Sequence, residues 1–236
     1  MSQTYLQLQM QSNKKLAIAL TRTLKDIHSN LMTTIYNVKS GSQRLINYGS
    51  CLMPDEYYRS SCRNMWREDT RLVMALGEIY HRNDVVLDMV ELYFRKVLTR
   101  IGPRGVENIS SQIERLLGKA AAYSSGKASK LALSITIAKI IMSSRDFNES
   151  HVKMVNNFAS WFVTGTNLYA KAQVAASAAR KLQYQDADYY QTLYKENIEM
   201  LYFLIEPYIS KIIYQIKSGD NNEEKIMDAL YEILKK

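Results

Sequence analysis

Residues 56–71 read EYYRSSCRNMWREDTR and set Arg59, Arg63, Arg67 and Arg71 at intervals of four. Four residues advance about 400° around an α-helix, so each arginine lies about 40° beyond the last and the four make one slanting stripe. Cys62, Met65, Trp66, Leu72, Val73, Leu76, Ile79 and Tyr80 fall on an arc largely opposite. That separation predicts an amphipathic helix. Pro54, Asp55 and Glu56 suit its start, because proline needs no N–H there and the macrodipole favours acids.

The same period recurs along the chain. Leu20, Leu24, Ile27, Leu31, Ile35 and Val38 predict a first helix ending near the SGS of 40–42. Asn83 can cap the helix of DVVLDMVELYFRKVLTR, and IGPRG at 101–105 ends it with two glycines and a proline. A long helical stretch over 106–144, divisible at Gly118 or Gly126, is followed by a loop at RDFNES and a helix over 150–183. Asp186 or Asp188 can cap a further helix with a near-heptad stripe (Tyr190, Tyr194, Asn197, Leu201, Leu204, Tyr208, Ile212), bent at Pro207. SGDNNEEK at 218–225 stops that helix and starts a short last one. No run alternates apolar and polar residues between turn signals, so no strand is expected. The expectation is an all-α bundle of about six to eight helices with long central ones. It is read as a single domain over 1–236, with 101–105 as the one place for a division into 1–101 and 106–236.

At 236 residues the chain can bury a sizeable core without metal or disulfides. Cys51 and Cys62 lack the number and spacing of a disulfide framework or a zinc site, so free buried thiols in a reducing compartment are expected. The N-terminus, MSQTYLQLQMQSNKKLAIAL, has no basic region ahead of an apolar run. A cytoplasmic protein of the producing cell is therefore expected, with any export left to a dedicated secretion system.

The formal charge of +8 favours anionic partners. Between 119 and 185 nine Lys or Arg face two acids, Asp146 and Glu149. The intervening sequence, GKAAAYSSGKASKLALSITIAKIIMSS, is rich in small and aliphatic residues, and MVNNFASWFVTGTNLYA at 154–170 carries no charge. Such segments are either central core helices or helices able to enter a bilayer with lysines snorkelling to the headgroups. Lysines and asparagines interrupt them too often for a standing span.

Residues 116–182, through SGKASKLALSITIAKII and ASWFVTGTNLYAKAQVAASAARK, resemble the membrane-active regions of helical, pore-forming antibacterial toxins of bacteria, the kind delivered by contact-dependent or type VI secretion. The resemblance implies a secreted effector that inserts conditionally into a target membrane. Lys119, Lys127, Lys130, Lys139, Trp161, Phe162 and Lys171 are the residues that would then meet an anionic bilayer.

Catalytic signals fail. SSGKAS at 124–129 lacks the first glycine, the following Ser or Thr and the preceding strand of a phosphate loop. His28, His81 and His151 stand apart, with no partner at metal-ligand spacing. No enzyme activity, cofactor or metal is expected. The alternative to the effector is a cytosolic helical module (an immunity protein, adaptor or regulator) that binds an acidic partner through Arg59, Arg63, Arg67 and Arg71, because the guanidinium fork matches carboxylates. Nucleic acid ranks behind both, since no recognised module accompanies the arginines. Seventeen tyrosines against five phenylalanines suit wet interfaces as well as heptad packing.

Overall fold

The computed structural model describes residues 51, 55–117, 130–160, 168–218 and 223–234, and these form an all-α fold with no strand among them. In chain order the helices are α1 (Glu56–His81), α2 (Val85–Thr99), α3 (Pro103–Leu117), α4 (Lys130–Ser143), α5 (Arg145–Ser160), α6 (Leu168–Gln185), α7 (Ala187–Lys195), a 3₁₀ segment (Glu199–Leu204), α8 (Glu206–Lys217) and α9 (Glu223–Leu234). The expected first helix, together with Lys119, Lys127, Trp161 and Phe162, lies outside the described residues.

Several boundaries follow from local chemistry. Asp55 caps α1, its carboxylate accepting a hydrogen bond from the Tyr57 N–H at 2.8 Å. Pro103 opens α3 at a position where no N–H is needed. The RDFNES stretch is helical rather than a loop, because Ser144 takes the capping role and its hydroxyl accepts from the Phe147 N–H. The Asp186 carboxylate does the same for α7, accepting from Tyr189. The expected heptad helix does not continue through 190–212. Asn197 adopts a left-handed φ of 59°, which ends the run after α7, and the chain restarts as the 3₁₀ segment before Pro207 opens α8.

The chain contributes to two compact units. The first takes in the described parts of Met1–Val85, Lys153–Lys181 and Tyr194–Phe203. Its buried side chains include Leu72, Ala75, Leu76 and Ile79 of α1, the alanines 172, 175, 176, 178 and 179 of α6, and Leu201, Tyr202 and Phe203. Small residues on α6 permit close helix approach, so its alanine-rich composition serves as packing surface.

The second unit takes in Val86–Val152, Leu182–Leu193 and the described parts of Leu204–Lys236, so the break at 101–105 lies inside it. Tyr93 of α2 meets Tyr189 of α7 edge-on at 5.1 Å, and the Tyr189 hydroxyl donates to the Met89 carbonyl at 2.7 Å. Ile226, Leu230 and Ile233 are the buried face of α9, which packs on α3, α4 and α8.

Several polar groups in this core are paired. Ser134 of α4 donates to Glu91 at 2.6 Å, and Glu91 also receives Arg95. The Lys96 ammonium meets the buried Asp186 carboxylate. Burial pushes the Lys96 pKa below its usual value, and Asp186 only partly offsets that. Between that lowered value and the unfolded one the unfolded chain binds more protons, so the cost of burying this ammonium is relieved as the pH rises through the alkaline range.

Removing one partner of such a pair leaves an uncompensated buried charge. Lys96→Met is expected to cost about 3 kcal/mol in denaturant unfolding. Adding Asp186→Asn, which keeps an acceptor for the Tyr189 N–H, should recover a large part of that loss.

Candidate functional site

The four arginines of the ladder share one helix but not one environment. Arg59, Arg63 and Arg67 are exposed, whereas the Arg71 side chain retains 12% of its accessible surface. The physical reason is the turn that follows α7. Its Nε and Nη2 reach the two carboxylate oxygens of Glu199 at 2.6 and 2.5 Å. Nη1 donates to Asn197 Oδ1 at 2.6 Å, and Nη2 also donates to the Tyr194 carbonyl at 2.6 Å. The guanidinium carbon lies 3.8 Å from the centre of the Tyr194 ring, a stacked cation–π arrangement. Glu199, with 2% of its side-chain surface accessible, is buried against this one cation.

Two further arginines complete the fastening of the unit. Arg82 bonds Glu78 at 3.0 Å and the Glu196 carboxylate at 2.8 Å. Arg180 of α6 pairs with Glu68 of α1. The acids near the middle and end of α1 are thus engaged within the fold.

The first half of α1 differs. Arg63 bonds Glu56 at 2.6 Å, and that guanidinium holds the exposed Glu56 carboxyl below the usual carboxylate range. Arg67 donates to Asn64 at 2.8 Å. Neither Arg59 nor Arg67 has a salt bridge among the described residues. Trp66 is 39% exposed and Met74 44%, which places both on the arginine side, contrary to the apolar arc expected for Trp66. Residue 66 lies 300° beyond residue 63 around an ideal helix, one turn further along, so indole and guanidinium become neighbours once the core direction is set by Met65, Leu72, Leu76 and Ile79. Tyr57, 74% exposed, and Tyr58 stand at the helix start with their rings edge-to-face at 5.6 Å.

Cys51 and Cys62 are joined in a disulfide rather than being free thiols. Cys62 belongs to the second turn of α1, one turn from Tyr58, Arg59 and Trp66.

The lysines of the central third are placed individually. Lys130 donates to the Ile101 carbonyl at 2.8 Å, a cation placed just beyond the C-terminus of α2, where the macrodipole favours it. Lys139 is exposed, and Lys171 belongs to α6. No helix among the described residues is long and apolar enough to cross a membrane. No group of three His, Cys, Asp or Glu among them could hold a metal ion.

No family model, curated protein or solved structure matches the chain. Among the described residues, α1 from Tyr57 to Met74 carries a surface that joins exposed arginines with exposed aromatic and apolar side chains.

The two classes of arginine should separate on mutation. Arg71→Ala strands the Glu199 carboxylate and is expected to cost about 3 kcal/mol, with Arg71→Lys only a partial rescue because an ammonium cannot reproduce the fork. Arg63→Ala should leave the melting temperature unchanged.

Proposed function

We propose that the protein is a helical protein-binding module whose α1 docks an acidic partner segment. One observation carries this reading: Arg59, Arg63 and Arg67 stand exposed beside Trp66 and Met74, whereas Arg71 is committed to the fold. Arginine and tryptophan are the residues most enriched at energetic centres of interfaces, and Met adapts to irregular partner surfaces. Charge complementarity selects carboxylates. A partner helix with acids at a spacing of four and aliphatic side chains between them would match both the cations and the apolar pair.

A second reading is the effector that inserts helices into a target bilayer. Leu131, 46% exposed, and the exposed Lys139 on the acid-free α4 favour it. Weighing against it, α4 buries Leu133, Ile137, Ala138 and Ile141, and α6 buries five alanines, so insertion would first have to withdraw these from a packed core.

A synthetic amphipathic helix of Glu and Leu, titrated by fluorescence anisotropy, tests the docking surface. Arg63→Glu with Arg67→Glu should weaken it at least tenfold with the circular dichroism spectrum unchanged. The same charge change at the exposed Lys153 and Lys225 should leave affinity within about twofold, as expected for charges outside the interface. Equal loss in both double variants would reduce the interaction to general attraction. On the docking reading anionic vesicles filled with dye stay sealed; release that disappears on changing Lys127, Lys130 and Lys139 to Glu would establish the effector instead.

A further inference from the structure

The first two turns of α1, which carry Arg59 and Arg63 of the docking surface, are the part the core holds least. From Glu56 to Asn64 no side chain is buried, and the first core residue of the helix is Met65. Helix ends without packed side chains fray, since each added residue gains one backbone bond against its conformational entropy. Among the interactions that oppose fraying here, three bear on the helix start. The Asp55 cap satisfies one of the first N–H groups. The Glu56–Arg63 ion pair spans two turns, but both side chains are well exposed and such pairs contribute little. The third is covalent: the disulfide ties Cys62 to a residue 11 positions earlier, beyond the helix start.

We infer that the Cys51–Cys62 disulfide is a redox control of this surface: oxidised, it orders the first two turns of α1 and presents Tyr57, Tyr58, Arg59 and Arg63 as a fixed array; reduced, it releases them. The reasoning rests on the docking role proposed above for the choice of surface, while the ordering of the helix stands on burial and connectivity. A covalent link across the helix start restricts the alternatives open to the frayed chain, and that restriction is lost with the bond. Cys62 is placed to act, because its neighbours one turn away are Tyr58, Arg59 and Trp66. From Met65 onward α1 places Met65, Leu72, Ala75, Leu76 and Ile79 in the core.

The chemistry balances with ordinary cellular reagents. A dithiol reductant delivers two electrons and two protons, the S–S bond breaks, Cys51 and Cys62 become thiols, and the dithiol closes to its own disulfide. Oxidised glutathione, a disulfide, reverses the step by exchange and leaves as two thiols.

Hydrogen exchange read by mass spectrometry on the full chain provides the test, in the oxidised protein, after treatment with dithiothreitol, and in the Cys51→Ser, Cys62→Ser variant. Amides of 57–64 should exchange at least about tenfold faster in the reduced and variant proteins, with those of 72–79 unchanged. Identical exchange at 57–64 in the oxidised and reduced wild-type protein would overturn the control, even if the variant fails to fold. The Glu/Leu peptide is titrated in parallel and should bind the oxidised protein more tightly, by at least threefold. Redox-dependent exchange with no peptide binding in either state would refute the docking role and leave the ordering of the helix established. Equal peptide affinity in both states would refute the control of binding.

Discussion

A buried guanidinium needs its charge and its donors answered inside the protein, and Arg71 meets that demand through one short segment of chain. The Tyr194 carbonyl at the end of α7, Asn197 in the turn and Glu199 at the start of the 3₁₀ segment converge on it across a turn in which Asn197 takes a left-handed backbone conformation. The turn surrounds the cation, which ties α1 to it at that point, with Arg82 and the Glu68–Arg180 pair as further ties. With α1 held there, its packed face is decided. Leu72, Leu76 and Ile79 face inward and Arg59, Arg63 and Trp66 face out.

That single assignment divides a repeat that looks uniform in sequence. A stripe drifting about 40° per step cannot keep four residues in one environment over three turns. The last arginine drifts to the edge of the core, where a partner is obligatory, and the first three remain in solvent, where a partner is optional. The division concerns energy as well as position. Loss of Arg71 would strand a carboxylate with little access to water, whereas the outer arginines are screened and cost the fold little to change.

Most of the helices were legible in sequence where the signal was local, the start at Ser144, expected as a loop, being the exception. The apolar period of α1, the Gly-Pro break between α2 and α3, the cap at Asp186 and the stop near 218 needed only neighbouring residues, and each appears within a few positions of its expected place. What the sequence did not disclose depends on distant partners. Asn197 is an ordinary member of a heptad stripe until Arg71 requires its side-chain Oδ1, 126 residues away in sequence. Trp66 sits near the boundary of two faces, and only the core direction decides which one it joins. The two cysteines were too few to signal a framework, although a separation of 11 brings them together once residue 62 lies in the second turn of a helix. Lys130 reads as a free cation in a basic segment, and its acceptor is a backbone carbonyl that no side-chain pattern reveals.

The small-residue composition of the central third gains a physical account from the same structure. Alanines at 172, 175, 176, 178 and 179 occupy one broad arc of α6 and allow close approach there, with Arg180 just after them reaching Glu68 on α1. A helix with so little side-chain bulk contributes modest apolar area per residue and depends on close contact for its dispersion energy. Concentrated positive charge beside it is tolerable when individual cations have internal acceptors, as Lys130 and Arg180 do. Basic composition and small residues are thus compatible with a packed interior, and the chain's excess charge becomes available for recognition chiefly where the fold leaves a cation uncommitted beside exposed apolar side chains. On α1 the exposed Arg59 and Arg67 meet that condition beside Trp66 and Met74, whereas Arg71 does not.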